Sequence, residues 1–172
     1  AGISSWAKIC EDILPAADDK TIPSDAQVIA AVNASVDDNA VVVAAAGSLP
    51  AELHKHWRAQ QVGGYHLEYG YSCMGYEICG GVGAKLACPE RDVVVMVGDG
   101  SYMMMNSDIA TAVSMGLQLT IVVLDNEGFS CINRLQMATG GANFNNLLKD
   151  TYNKGLAQID FAGHARSMGA HA

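Results

Sequence analysis

The chain has 172 residues, half of them hydrophobic and only 16% charged; global disorder is excluded and one domain can build a sizeable core. A formal net charge of −8 argues against nucleic acid, which rewards clustered Lys and Arg. It leaves open a phosphorylated small ligand, whose charge a divalent cation and backbone N–H groups can meet. Aromatic residues are only 6%, so the core is expected to be aliphatic, filled by Ala and Met. The 18 glycines, about 10% against a background of about 7%, suggest backbone working close to something.

Five cysteines stand at positions 10, 73, 79, 88 and 131. The number is odd and no Cys-x-x-Cys pair occurs, so neither a zinc ribbon nor a disulfide framework is indicated. Reduced thiols and a cytoplasmic location are the expectation. No apolar run reaches the ~18 residues of a membrane span, and the first residues lack the charged head and apolar stretch expected of a signal peptide. A start at Ala1 rather than Met suggests a chain cut from something longer.

Residues 1–22 read as a linker or domain-boundary segment, either plain linker or a short helix and linker, with Pro15 and the acidic stretch Ala16–Lys20. Residues 23–172 read as the domain. Ser24 and Gln27 have capping-box spacing and predict a helix over Asp25–Val36. Ala40–Ala46 is a continuous apolar run, as in a strand buried on both faces. Ala51–Arg58 reads as helix, 60–72 as loop and Cys73–Ala87 as helix despite its glycines. Asp92–Val97 is a second buried strand. Tyr102–Met115 is a helix stopped by Gly116, and Leu117–Leu124 a third buried strand. The segment beyond Leu124 reads as loop, with an Asn/Gly-rich stretch over 139–146, until a last helix around Phe161–Ser167. Alternating strands and helices predict an α/β fold, a three-layer α/β/α domain with a mainly parallel sheet. A strand is expected after the last helix, so the domain reads as truncated at both ends.

The chemistry concentrates at Gly98-Asp99-Gly100-Ser101, followed 27 positions after Asp99 by Asn126. Each group follows a predicted strand, so neighbouring strands would bring both to one sheet edge, where open α/β folds bind ligands. Asp99 offers a carboxylate and Asn126 a carbonyl, hard oxygens suited to Mg²⁺ or Ca²⁺, and Mg²⁺ is commonly shared with phosphate oxygens. The helix beginning near Tyr102 would aim N–H groups at the same place. A metal-bridged diphosphate is what these residues suggest. Gly-Asp-Gly alone is also a common turn in which Asp caps a helix.

Other patterns fail. Gly81-Val82-Gly83 has Leu86 where a dinucleotide fingerprint needs a small residue. Lys85 lacks the preceding Gly of a Walker loop. Gly70-Tyr71-Ser72-Cys73-Met74 lacks the second Gly of a nucleophile elbow. His54 and His56 are two apart on a helix, so they face different directions and read as solvated surface. Met103-Met104-Met105 reads as core packing, and Cys73 as an inert buried thiol.

Gly98-Asp99-Gly100-Ser101 through Asp125-Asn126 resembles the cofactor motif of the thiamine-diphosphate enzymes. That family usually ends the motif in Asn-Asn; Asp125 departs from it and Asn126 keeps the ligand position. The segments Ala44–Pro50, Glu68–Glu77 and Gly128–Gln136 are similar to the inositol-catabolic dione hydrolases within the family. The resemblance covers most of residues 20–170. It implies that Asp99, Asn126 and the Gly128 carbonyl hold Mg²⁺. It places Gly98, Gly100, Ser101 and Tyr102 at the diphosphate, with Gly47, Ser48 and Leu49 opposite. Met74 would prop the bent cofactor, and the Ser72 carbonyl would accept from its aminopyrimidine.

The implied reaction is hydrolysis of a C–C bond in a cyclic diketone, giving an open-chain deoxy-sugar acid, with the cofactor storing the electrons released. The implied partners are that small-molecule substrate and a pyrimidine-binding domain of the same or a partner subunit, which would supply the activating Glu. No catalytic residue is therefore assigned within this chain. The full-length protein is expected to be a homo-oligomer, and this chain to expose apolar surface toward its partners. Acetolactate-synthase-like or decarboxylase-like chemistry is the alternative inside the family. A non-catalytic ligand-binding α/β domain is the alternative outside it.

Overall fold

The computed structural model describes residues 2–14 and 21–172, with side chains from Ser5 onward. Pro15 and Ala16–Lys20, part of the expected linker, lie outside the described residues. Among the described residues four strands, β1 (Val41–Ala44), β2 (Tyr65–Leu67), β3 (Val93–Gly98) and β4 (Thr120–Leu124), form one sheet in the order β2-β1-β3-β4. Every pairing is parallel, with Val42 opposite Tyr65 and Val94, and Val95 opposite Ile121. The helices are α1 (Gly2–Asp12), α2 (Asp25–Ser35), α3 (Leu49–His56), α4 (Tyr76–Ala87), α5 (Asp99–Met104), α6 (Asp108–Ser114), α7 (Ser130–Ala138) and α8 (Phe161–Ser167).

The valine runs make β1 and β3 strands because both faces are covered. Side chains alternate across a strand. Val42, Ala44, Val94 and Met96 pack with Ile29 of α2 and with Leu49 and Leu53 of α3. Val41, Val43, Val93, Val95 and Val97 pack with Ile78 of α4, Tyr102 of α5 and Ile109 of α6 on the other face. Two helical layers thus enclose one parallel sheet, as the alternating elements predict.

Several boundaries depart from expectation. The third strand, expected to be buried over Leu117–Leu124, starts only at Thr120 and is mostly half-buried, because it lies at the sheet edge with a strand on one side only. The single helix expected over Tyr102–Met115 is two, broken at 105–107, and α5 already begins at Asp99. The expected loop over 60–72 contains β2, which is short and only partly buried, so it shows no continuous apolar run. The expected loop after β4 contains α7, whose leucine, isoleucine and methionine are largely exposed. Met103, Met104 and Met105 are about half exposed and do not fill the core. His56 is buried at the end of α3 and His54 stacks on Tyr65 at 5.3 Å, so neither is simple solvated surface. Burial lowers the His56 pKa below its ordinary value. Within 1–22, Gly2–Asp12 is helical, and its Cys10 is fully buried.

The α2 start follows the sequence closely. Ser24 Oγ accepts from the Gln27 N–H at 3.3 Å, and Gln27 Oε1 accepts from the Ser24 N–H at 2.8 Å. Ser24→Ala should cost about 1 kcal/mol and lower the melting temperature by about 2–4 °C, a loss that thermal melts of the two chains will read.

Candidate functional site

The sheet order places a topological switch between β1 and β3, because the chain winds outward from these two central strands in opposite directions. Crevices outside the carboxyl ends of strands at such a point are the usual ligand sites of open α/β folds. Here a cleft opens at that point. Ala46, Ser48 and Leu49 enter it from beyond β1, Gly98, Asp99, Gly100 and Ser101 from the end of β3, and Leu124, Asn126 and Gly128 from the end of β4. Met74 enters from the loop after β2. Nine residues singled out in the sequence therefore meet in one place.

Asp99 is the anchor. It is 6% exposed, and its Oδ2 accepts the Gly128 N–H at 2.8 Å while Oδ1 accepts the Asn126 N–H at 3.4 Å. Burial raises its pKa above the ordinary carboxylate value, with the two N–H groups opposing. A buried carboxylate whose remaining lone pairs face a cleft is a place where a cation recovers the desolvation cost. The turn bearing its partners is pinned from behind. Phe129 N–H donates to the Asn146 carbonyl at 2.7 Å and Leu148 N–H to the Glu127 carbonyl at 2.8 Å. Gly128 has φ +140°, and a Cβ there would sit 2.6 Å from the Asn146 oxygen. Only glycine fits at this crossing of two backbones.

Among the described residues no cluster of three or more His, Cys, Asp or Glu could hold a metal. A cation at Asp99 would therefore draw on amide and backbone oxygens, a donor set of the hard kind that Mg²⁺ accepts. The α5 helix has only six residues, so its free first-turn N–H groups, rather than a long helix dipole, are what it offers an anion.

Three of the expected residues are placed otherwise. Gly47 lies beside the cleft at φ +106° without lining it. Ser72 sits on the loop that carries Met74, at φ +55° and exposed. Tyr102 points its side chain away. It is 1% exposed, its hydroxyl meets His164 Nδ1 at 3.0 Å, and its ring meets Phe161 edge-on at 5.3 Å. The physical reason is helical phase, since α5 must cover the sheet with one face and Tyr102 is the large apolar residue on it. Tyr102→Phe should cost about 1 kcal/mol through the lost hydrogen bond. It should leave ligand affinity at the cleft unchanged, which parallel melts and titrations will check.

Sequence reasoning missed Asp25, Phe129, Ser130 and Cys131, which complete the wall. The starts of α2 and α7 bring them in, and no local pattern announces that. Cys73 is exposed rather than buried. Desolvation by its neighbours, then the Glu68 carboxylate, raise its thiol above the ordinary value, so it is not an activated nucleophile. A larger cavity, of about 420 Å³ and lined by Tyr65, His66, Tyr76 and Cys79, holds none of the expected residues.

A parallel three-layer domain with an acidic, amide and glycine-rich cleft at its switch point is a fold and site suited to a phosphate-bearing cofactor. Residues 45–172 match the family described as thiamine pyrophosphate enzyme, C-terminal TPP binding domain, and the chain belongs to it. It is 44% identical over 148 residues to a 3D-(3,5/4)-trihydroxycyclohexane-1,2-dione hydrolase of Bacillus cereus. It is 45% identical over 148 residues to the 3D-(3,5/4)-trihydroxycyclohexane-1,2-dione hydrolase of Geobacillus thermodenitrificans. Each match covers 83% of this chain and 23% of the relative, so the chain spans about a quarter of the length of these relatives. No helix among the described residues is long and apolar enough to cross a membrane.

Proposed function

We propose that this chain is the diphosphate- and metal-binding part of a thiamine-diphosphate- and Mg²⁺-dependent hydrolase that opens a C–C bond in a cyclic 1,2-dione. The observation that carries the reading is the convergence of Asp99, Asn126, Gly128 and Ser101 at the β1/β3 switch point. Asp99, the Asn126 side chain and the Gly128 carbonyl would hold the metal. Ser101, the first-turn N–H groups of α5, and the Gly47–Leu49 turn would hold the diphosphate oxygens. Met74 would support the cofactor's bend, and the Ser72 carbonyl would orient its pyrimidine. When bound, the cofactor supplies a carbon nucleophile and an electron sink for C–C cleavage. The protein contributes orientation and fixed dipoles. The dione substrate class rests on the names of the relatives.

The cleft encloses only about 50 Å³, against the several hundred that a small-molecule site fills. That suits a metal-bound phosphate and leaves the rest of the cofactor to a second wall. A pyrimidine-binding domain of the same or a partner subunit would provide it, together with the activating glutamate. Exposed apolar side chains such as Trp6, Val62 and Tyr71 are compatible with such partners and with assembly into an oligomer.

The test is turnover. The 172-residue chain, supplied with thiamine diphosphate and Mg²⁺, should not open the cyclic dione by itself, and should do so once a pyrimidine-binding domain completes the site. Cleavage of pyruvate but not of the dione by the completed site would move the assignment to the acetolactate-synthase-like or decarboxylase-like branch.

A further inference from the structure

Glu68 and Glu77 flank the loop between β2 and α4, and both reach back into it. Glu68 Oε1 accepts the Tyr71 N–H at 3.0 Å, and its Oε2 accepts the Cys73 N–H at 2.7 Å. Glu77 Oε2 accepts the Gly75 N–H at 2.9 Å. Three alternate N–H groups, at 71, 73 and 75, are thus taken by two carboxylates. The residues between them are Ser72 and Met74.

The backbone at these positions is not relaxed by itself. Ser72 holds φ +55°, a region that costs a non-glycine residue energy unless its surroundings fix it. Gly75 holds φ +89°, and a Cβ there would lie 2.7 Å from Met105 Cγ. The two Glu68 bonds straddle the strained Ser72, and the Glu77 bond closes the loop onto the first turn of α4. Glu77 is 2% exposed. Glu68 is held below the ordinary carboxylate range by the Cys73 and then the Tyr71 N–H, as expected of a charged acceptor.

We propose that Glu68 and Glu77 are positioning residues forming a two-carboxylate clamp, which fixes the 69–75 loop so that Ser72 and Met74 meet the cofactor's pyrimidine side. The proposal rests on the cofactor reading given above. It has a chemical corollary. With the N–H groups of 71, 73 and 75 committed to carboxylates, this loop has none of them left for an anion. On this reading the diphosphate would be held chiefly from Ser101, the first turn of α5 and the Gly47–Leu49 turn, and the loop would act mainly on the organic half of the ligand.

Two measurements on the 172-residue chain test it. The first needs no ligand: amide hydrogen exchange of the ¹⁵N-labelled chain. Glu68→Ala should speed exchange at Tyr71 and Cys73 at least tenfold, and Glu77→Ala should do the same at Gly75, with the β3 amides unchanged. Unchanged exchange at these three amides in chains that remain folded overturns the clamp. The second compares two probes, magnesium thiamine diphosphate and magnesium pyrophosphate. Glu68→Ala should weaken the first at least tenfold and the second less than twofold, and adding Ser72→Gly, which tolerates φ +55° without a clamp, should recover part of the loss. Equal weakening of both probes means a general structural role and overturns the positioning assignment. If the parent chain binds neither probe, the cofactor reading of the isolated chain fails, and amide exchange alone decides whether the clamp exists.

Discussion

Thiamine diphosphate and Mg²⁺ together should raise the melting temperature of this chain, and Asp99→Ala should erase the rise. At ligand near 100 times its dissociation constant, the gain is about 2.7 kcal/mol, or about 5–10 °C for a chain of this size. The dependence on Asp99 follows from its geometry. The carboxylate both faces the cleft and holds the Gly128 and Asn126 N–H groups, so alanine would remove one proposed metal ligand and release the turn that carries the other two. Omitting Mg²⁺ should have nearly the same consequence, because the diphosphate then meets the buried carboxylate with no cation between them. A rise that survives both Asp99→Ala and metal removal would favour a non-catalytic ligand-binding domain. The dissociation constant itself should be weak, since the cleft supplies only one wall.

Gly81→Val should be the most destabilising substitution on α4, by about 3 kcal/mol. A Cβ at Gly81 would run into Val95 Cγ2 of β3, and both residues lie in the layer between helix and sheet. Neither side can give way. Val95 is fully buried and sits mid-strand with Val43 on one side and Ile121 on the other. The melting temperature should fall by about 6–12 °C. Gly83→Ala makes the control, because nothing lies within 4 Å of its Cβ position. There alanine should stabilise the helix by up to about 1 kcal/mol. The pair of melts separates close helix–sheet approach from simple helix propensity.

The two glycines also show where sequence reading reaches its limit. Gly80, Gly81 and Gly83 look alike as helix weakeners in a string of letters. Only their phase against the sheet separates the glycine that permits contact from the one that faces open space. Tyr102 makes the same point at the site. Its place beside Ser101 suggests a cofactor contact, yet the helix turn that points Ser101 at the cleft necessarily points Tyr102 into the core.

What the sequence determined by itself was local and periodic. The buried valine runs, the Ser24–Gln27 cap and the alternation of strand and helix are each specified by neighbours a few residues apart. They were enough to predict a parallel α/β sheet with Asp99 and Asn126 at its carboxyl edge. What only the tertiary structure decided depends on residues far apart in the chain meeting. The strand order puts the switch point between β1 and β3. The 146–148 backbone crosses behind Gly128, and Asp25 and Cys131 reach the same cleft. Glu68 and Glu77 fold back onto one loop from its two ends. Such contacts carry no sequence period, because they are set by how the layers close over the sheet rather than by any single element's own preference.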